Sequence, residues 1–196
     1  MFKSAGGSPV LGALVGERRV ATEQVPVRGG ERSGTPTEKT PGALLVERIT
    51  HQDVPAICNL YRRVWEPAPP GVPADFVKTW QPTPLEFTSW MEGVTYFAAR
   101  KDGRLVGIIG CEIRHASVRM MDLAVDPETR RQGVATSLVA AAVEWAKKSN
   151  ATSIWIDSLS RFAPATALFQ HLGFAQAGVL HKHEWGEDVT LFERVL

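Results

Sequence analysis

The chain has 196 residues, of which 44% are hydrophobic and 22% charged, with a formal net charge of +1. That length supports one hydrophobic core without disulfides or metal, and the composition is that of an ordinary soluble globular protein. The near-zero charge supplies no strong field for nucleic acid or an anionic membrane, and no apolar run reaches the roughly 18 residues that span a bilayer.

The first 43 residues differ from the rest. They hold eight of the 17 glycines, four of the 13 prolines and, beyond Phe2, no aromatic residue. Such a segment buries too little apolar surface to offset the entropy of ordering, so 1–43 is expected to be a disordered Gly/Pro-rich extension. The run Pro9 to Val15 after Lys3 is broken by Gly12 and lacks a small-residue cleavage site, so secretion is not expected. The extension carries six basic and four acidic residues, which leaves 44–196 at a net charge of −1.

From Leu44 the pattern becomes regular. Leu44 to Ile49 reads as a strand; Thr50 opens a capping box with Asp53, and Pro55 sits in the first helical turn. Ile57, Leu60, Tyr61, Val64 and Trp65 follow at helical spacing. A Pro-rich connection, Pro67 to Pro84, carries Trp80, and Thr83 with Glu86 caps a short helix running to Met91. Strands Val94 to Arg100 and Leu105 to Ile113 are joined by Asp102-Gly103, which favours a type I′ turn. A third apolar run, Val118 to Val125, ends at Asp126-Pro127. Gly133 to Lys148 is the clearest helix, with Val134, Leu138, Ala142 and Trp145 on one face and Lys147 and Lys148 suiting its C-terminal dipole. A strand from Ala151 to Ser158, a helix ending at Gly173, and strands Phe174 to Glu184 and Val189 to Leu196 complete the order. Cys58 and Cys111 lie inside apolar runs and read as small buried hydrophobes, which fits a reducing, cytoplasmic setting.

The informative stretch runs from Met121 to Leu138: a strand, an arginine-rich loop and a helix whose first turn holds only small or apolar side chains. The first amides of a helix lack internal partners, so its N-terminus is an anion site. Gly133 and Ala135 let the backbone approach an anion closely, and Arg130 and Arg131 add guanidinium groups that grip phosphate oxygens. A diphosphate is the natural ligand. No Gly-Lys-Ser/Thr of a P-loop and no Gly-x-Gly-x-x-Gly of a dinucleotide fold is present.

Leu123-x-Val125-x-Pro127-x-x-Arg130-x-x-Gly133-Val134-Ala135-x-x-Leu138 resembles motif A of the GNAT superfamily of N-acetyltransferases. Ile154-Trp155-Ile156-Asp157, followed by Ala165-x-x-Leu168-Phe169-x-x-Leu172-Gly173-Phe174, is similar to the superfamily's second cofactor-proximal motif. The closing run Asp188 to Leu196 resembles its terminal strand. The resemblance implies an α/β fold in which a mixed, twisted sheet of about seven strands is splayed around an acetyl-CoA cleft and flanked by about four helices. It implies that main-chain groups of Leu123, Ala124 and Val125 pair with the pantetheine arm. The pyrophosphate would meet Arg130 and the amides of Arg131, Gln132, Gly133, Val134, Ala135 and Thr136.

Two positions depart from the superfamily pattern. Phe169 stands where a tyrosine commonly protonates the leaving thiolate, and Phe162 where an asparagine often touches the cofactor. Phenylalanine donates no proton, so water, Ser160 or no acid at all would serve the thiolate. An amine with a pKa near ~10 must lose a proton before it attacks. Asp157, at a strand end where some relatives in the superfamily carry a catalytic glutamate, is the first candidate base. Asp122, across the cleft, is the second, and Glu112 a third. Each also has a plain structural reading as a carboxylate that caps backbone or pairs with arginine.

Other residues carry less weight. His181 and His183 alternate on a strand, but nothing completes a metal set, so an exposed strand face is expected and no metal. Glu184 and Trp185 at that hairpin, with Trp65, Trp80 and Trp90, are candidates to wall an acceptor pocket; Trp80, in a loop, is the best of them, and packing suits Trp65 and Trp90. The expected activity is acetyl transfer from acetyl-CoA to a primary amine by direct attack in a ternary complex. The alternative is a catalytically degenerate domain that senses CoA or binds a partner. Expected partners are a small-molecule amine or a protein N-terminus, with no nucleic acid and no membrane; a homodimer is left open.

Overall fold

The computed structural model describes residues 43–66, 68, 72 and 74–196. The expectation for residues 1–43 therefore lies outside the described residues, except at Ala43. Seven strands form one sheet: β1 (Leu44–Arg48), β2 (Thr95–Lys101), β3 (Arg104–Arg114), β4 (Ser117–Val125), β5 (Ser153–Leu159), β6 (Ala175–Glu184) and β7 (Glu187–Val195). Their order across the sheet is β1-β2-β3-β4-β5-β7-β6. Every neighbouring pair is antiparallel except β4 and β5, which are parallel.

Local chemistry sets most of the boundaries. Thr50 and Asp53 form the anticipated capping box, but around a single 3-10 turn, His51–Asp53, and α1 (Val54–Trp65) starts after it. Such turns commonly open α-helices. The second box is formed by Thr83, whose side chain accepts from the Glu86 amide at 3.3 Å, and it opens α3 (Pro84–Trp90). Asp102 and Gly103 both have positive φ, 50° and 81°, as a type I′ turn between β2 and β3 demands. The longest helix, α4 (Val134–Lys148), is followed by α5 (Ala163–His171). One helix was not legible in the sequence: α2 (Ala74–Thr79), a short segment at the end of the Pro-rich connection. Among the described residues there are thus five α-helices against the expected four or so.

The sheet is covered on both faces. One core gathers Val134, Leu138, Ala142 and Ala146 of α4 with Ile109, Met120 and Ile154 from the strands. The other gathers Ile57, Leu60 and Tyr61 of α1 and Phe87 of α3 with Tyr96, Ala98 and Ile108. Central β3 is consequently buried from Leu105 to Cys111, as a strand between two helical layers must be. Cys58 and Cys111 are buried free thiols. At Gly107 a Cβ would come within 2.8 Å of Val134 Cγ1 and 3.0 Å of Leu138 Cδ1, so only glycine lets α4 lie this close to the sheet.

β6 departs from simple alternation. Its pairing with β7 shifts register between Leu180 and Glu184, and Lys182 has φ 51°. A bulge of this kind re-aims the strand beyond it. His181 and His183 therefore do not share a regular face; both are exposed, and His181 Nδ1 lies 3.1 Å from Asp188 Oδ2. Among the described residues no three metal-binding side chains cluster, and no helix is long and apolar enough to cross a membrane.

Candidate active site

Strands β4 and β5 pair only at Ser117–Ser153, Val118–Ile154 and Arg119–Trp155. Beyond that point β4 continues to Val125 and β5 to Leu159 with no pairing between them, so the sheet opens into a cleft. The opening is reinforced by a bulge. Asp122 and Leu123 together oppose the single residue Ile109 of β3, and Asp122 has φ 55°. Leu123, Ala124 and Val125 thus have one edge facing β3 and the other facing the cleft, where an extended ligand can add main-chain bonds.

The outer end of the cleft is the start of α4. Gly133 caps α4 at φ 80°, Arg131 precedes it at φ 61°, and the first helical bond runs from the Ser137 amide to the Gly133 carbonyl at 2.9 Å. The amides from Gly133 to Thr136 hence have no carbonyl one turn back to receive them. A Cβ on Gly133 would meet nothing within 4 Å, and Arg130, Arg131 and Gln132 are exposed around it. The loop is held from behind by Asp126, which is fully buried. Its Oδ2 accepts from Arg104 at 2.7 Å and Arg63 at 3.0 Å, while its Oδ1 accepts from the Glu128 amide at 3.1 Å. Burial alone would raise this carboxyl, but those three donors outweigh it and hold its pKa below the ordinary value.

The inner end is a cavity of about 200 Å³. One wall is aromatic. Trp65 and Trp80 face each other with ring centroids 4.3 Å apart, Phe162 stacks on Trp65 at 6.5 Å, and Trp90 also borders the space. Trp65 Nε1 is buried and finds no hydrogen-bond partner among the described residues. α2 positions Trp80, so the unanticipated helix builds part of this wall. The other wall is ionisable: Arg119, Asp122, Asp157 and Glu184.

These four groups are not alike. Arg119 donates to Asp157 Oδ1 at 3.0 Å and lies over the Trp155 ring, 5.3 Å from its centroid. Asp122 Oδ2 accepts from the Tyr96 hydroxyl at 2.8 Å, and Tyr61 donates to the Asp122 carbonyl at 3.0 Å. Burial raises the Asp122 carboxyl, although Tyr96 and Arg119 pull the other way. The same burial, with the Asp122 charge nearby, pushes the phenols of Tyr61 and Tyr96 well up, so both stay neutral donors. Glu184, 8% exposed, has Oε1 buried with no hydrogen-bond partner among the described residues. Burial and then the neighbouring Asp157 charge raise its pKa to about 7, with Arg119 opposing.

The structure brings most of the sequence-expected residues together. Leu123 to Val125 line the open strand edge, Arg130 to Thr136 surround the helix start, and Asp122 and Asp157 border one cavity. Glu112 does not join them; it pairs with Arg114 at 2.8 Å and does not border the cavity. Ser160 hydrogen-bonds Thr190 at 2.7 Å and is likewise not on the cavity wall. Phe169, 2% exposed, packs between Phe174 and Phe192 while bordering the cavity. Arg119 was missed, although an arginine inside the apolar run Val118 to Met121 is the kind of residue that must find a partner when buried.

A splayed mixed sheet with a bulged strand, an open strand edge and a bare helix start defines an α/β domain built around an open cleft. Residues 54–174 match the acetyltransferase (GNAT) family, and the chain belongs to that family. It is 28% identical over 105 residues to human N-acetyltransferase 8B, a match covering 50% of this chain and 46% of that protein. It is 24% identical over 83 residues to the [ribosomal protein bS18]-alanine N-acetyltransferase of Escherichia coli K12, covering 42% of this chain and 56% of that protein. The chain thus spans about half the length of the curated relatives it matches. The crystal structure of the Escherichia coli ribosomal-protein-S18-alanine N-acetyltransferase superposes with TM-score 0.64 at 20% identity, over 78% of this chain and 94% of that one. PaiA N-acetyltransferase of Thermoplasma acidophilum, solved with coenzyme A, gives 0.67 at 13% identity over 79% of this chain and 99% of that one. At such identities the likeness concerns the fold.

Proposed function

We propose that the chain is an N-acetyltransferase that moves an acetyl group from acetyl-CoA to a primary amine by direct attack in a ternary complex. The observation that carries this reading is the coincidence, in one cleft, of a free strand edge, an anion-receiving helix start and a cavity walled by carboxylates and indoles. Acetyl-CoA would supply an electrophilic thioester carbonyl. The chain's own groups fit that ligand. The open edge of Leu123, Ala124 and Val125 suits the amide-bearing pantetheine arm, and Arg130 with the amides of Arg131 to Thr136 suits the pyrophosphate.

The acceptor enters between the aromatic wall and the carboxylates. Asp122 and Asp157 draw in an ammonium group, and the indoles of Trp65 and Trp80 offer it their negative faces. Arg119 fixes Asp157, and Tyr96 fixes Asp122, so these carboxylates hold one geometry while the amine is bound. No cysteine borders the cavity among the described residues, which favours direct attack over an acetyl-enzyme. The relatives whose names specify a ribosomal-protein alanine support a protein N-terminus as one acceptor class; a small-molecule amine is the other.

A second reading has one specific observation behind it. Phe169 fills the position of the superfamily's usual tyrosine acid and is packed among phenylalanines, so a CoA-binding module without turnover would look the same there. A thiol-release assay with acetyl-CoA and primary amines separates the two. Amine-dependent release of CoA is expected; CoA-dependent thermal stabilisation with no release would overturn the enzyme reading.

A further inference from the structure

Three carboxyl groups border the cavity, and two of them are engaged. Asp157 Oδ1 is held by Arg119 at 3.0 Å and Asp122 Oδ2 by the Tyr96 hydroxyl at 2.8 Å. Glu184 differs, with a buried Oε1 that has no hydrogen-bond partner among the described residues. Such an oxygen is costly to leave unpaired and is uncommon in a native fold unless a ligand or a proton completes it.

The backbone explains why Glu184 is there. It is the last residue of β6, after the bulge at Lys182 and before the turn Trp185-Gly186, where φ is 49° and 83°. On that hairpin Glu187 reaches out to Arg161 at 3.1 Å and Asp188 turns back to His181, while Glu184 alone is directed inward. The charged groups around it are Asp157 on β5 and Arg119 on β4, with Asp122 further along β4 on the same cavity.

We propose that Glu184 is the catalytic base that takes the proton from the acceptor ammonium in this cavity. The inference rests on the acetyl-transfer reading above. One ammonium proton passes to the Glu184 carboxylate, and the freed lone pair forms the N–C bond to the acyl carbon as the C–S bond breaks. Of the two protons still carried by nitrogen, one moves to the departing sulfur and the other stays as the amide N–H, and Glu184 returns its own proton to solvent. Asp157 and Asp122, each held by a fixed donor, are positioning residues for the ammonium. A carboxyl that titrates near 7 is matched to proton transfer at neutral pH, where an ordinary carboxylate is too weak a base.

The test uses the full chain, acetyl-CoA, and three probes: n-butylamine, spermidine and a short alanine-initiated peptide. Glu184→Gln keeps the shape and removes the base, so kcat is expected to fall by roughly 10²–10⁴ and the ascending limb of the rate profile near pH 7 to vanish. CoA affinity by calorimetry should stay within about twofold, since the pyrophosphate site is remote. Partial recovery of turnover in Glu184→Ala on adding formate would distinguish a missing base from a damaged fold. Independently of turnover, carboxyl-labelled glutamate NMR should show one group titrating near pH 7 in the wild-type chain and not in Glu184→Gln. An active wild type whose Gln variant keeps its kcat and pH profile overturns this role alone, as does a spectrum with no glutamate titrating above about pH 6. A wild-type chain that binds CoA and acetylates none of the probes fails the transfer reading itself, and the role of Glu184 with it.

Discussion

Asp157 and Arg119 form a 3.0 Å ion pair where the sheet comes apart: Arg119 belongs to the last β4–β5 pair, with Trp155, and Asp157 lies two residues beyond it. Their side chains are 14% and 6% exposed. The pair gives the buried guanidinium a counter-charge and fixes Asp157 at the cavity wall. The sequence expectation for Asp157→Asn is a general-base loss of roughly 10²–10⁴ in kcat. With Asp157 held by Arg119, a smaller fall of about tenfold is expected, together with a higher KM for the amine. Arg119→Met should be worse for the fold, costing about 3 kcal/mol, because it strands a carboxylate. Steady-state kinetics and urea melts of both variants check this; a full base-type loss in Asp157→Asn would return the base to Asp157.

The helix start of α4 should control cosubstrate affinity. Gly133 sits at φ 80° with open space where a Cβ would go, so a glutamate there adds negative charge at the mouth of the proposed pyrophosphate site. Gly133→Glu is expected to abolish CoA binding, partly through backbone strain at that φ. Arg130→Ala should weaken it by about 1–3 kcal/mol, the value of one charge-assisted hydrogen bond. Calorimetry with CoA reads both, and unchanged binding in Gly133→Glu would remove the site from this helix.

Much of this architecture was legible because its signals are local. Asp102-Gly103, the boxes at Thr50 and Thr83, and the apolar face of α4 each depend on residues within a turn or two of one another. The run from Leu123 to Thr136 likewise displays in sequence a strand, an arginine-rich loop and a helix start of small or apolar side chains. What was not legible depends on partners far apart in the chain. Arg119 and Asp157 are 38 residues apart, and Tyr96 and Asp122 are 26 apart. The bulge at Asp122-Leu123 and the shift in β6 are two-strand properties, invisible from either strand alone. α2 lacks a long periodic face, so the helix that brings Trp80 against Trp65 had no signature, although Trp80 itself stood out as a pocket residue and does border the cavity. Phe162 and Phe169 looked like lost polar positions; in the fold both border the apolar side of the cavity.

Glu184 should be a stability liability above neutral pH. Its folded pKa of about 7 exceeds the ordinary 4.5, so the native chain holds the proton more tightly than the unfolded one. A raised carboxyl favours folding at pH below about 4.5, and that advantage is lost as pH climbs through 7. Glu184→Gln does not titrate. It should match the wild type near pH 4 and exceed it at pH 8 by about 1–3 kcal/mol, a range that allows for solvent at the cavity mouth. Urea melts at the two pH values measure the difference. An equal offset at both would show that burial does not perturb Glu184.

Trp80 should govern acceptor affinity and leave the cosubstrate alone. Its ring lies 4.3 Å from Trp65 and 6.4 Å from Phe162, on the wall of a cavity that no residue at the α4 start borders. The same side chain packs on a small cluster of Val72, Val77, Leu159 and Val189, so truncation to alanine would also loosen the fold. Trp80→Leu keeps most of that apolar contact while removing the π face. A cation over an indole is worth about 0.5–2 kcal/mol, so KM for the amine should rise roughly 2- to 30-fold. Trp80→Phe, which keeps a weaker π face, should fall between the two. The affinity for CoA and the pH profile should not move, because neither the helix start nor Glu184 is touched. Equal losses in amine and CoA affinity would instead mean that Trp80 holds the cleft together and does not contact the acceptor.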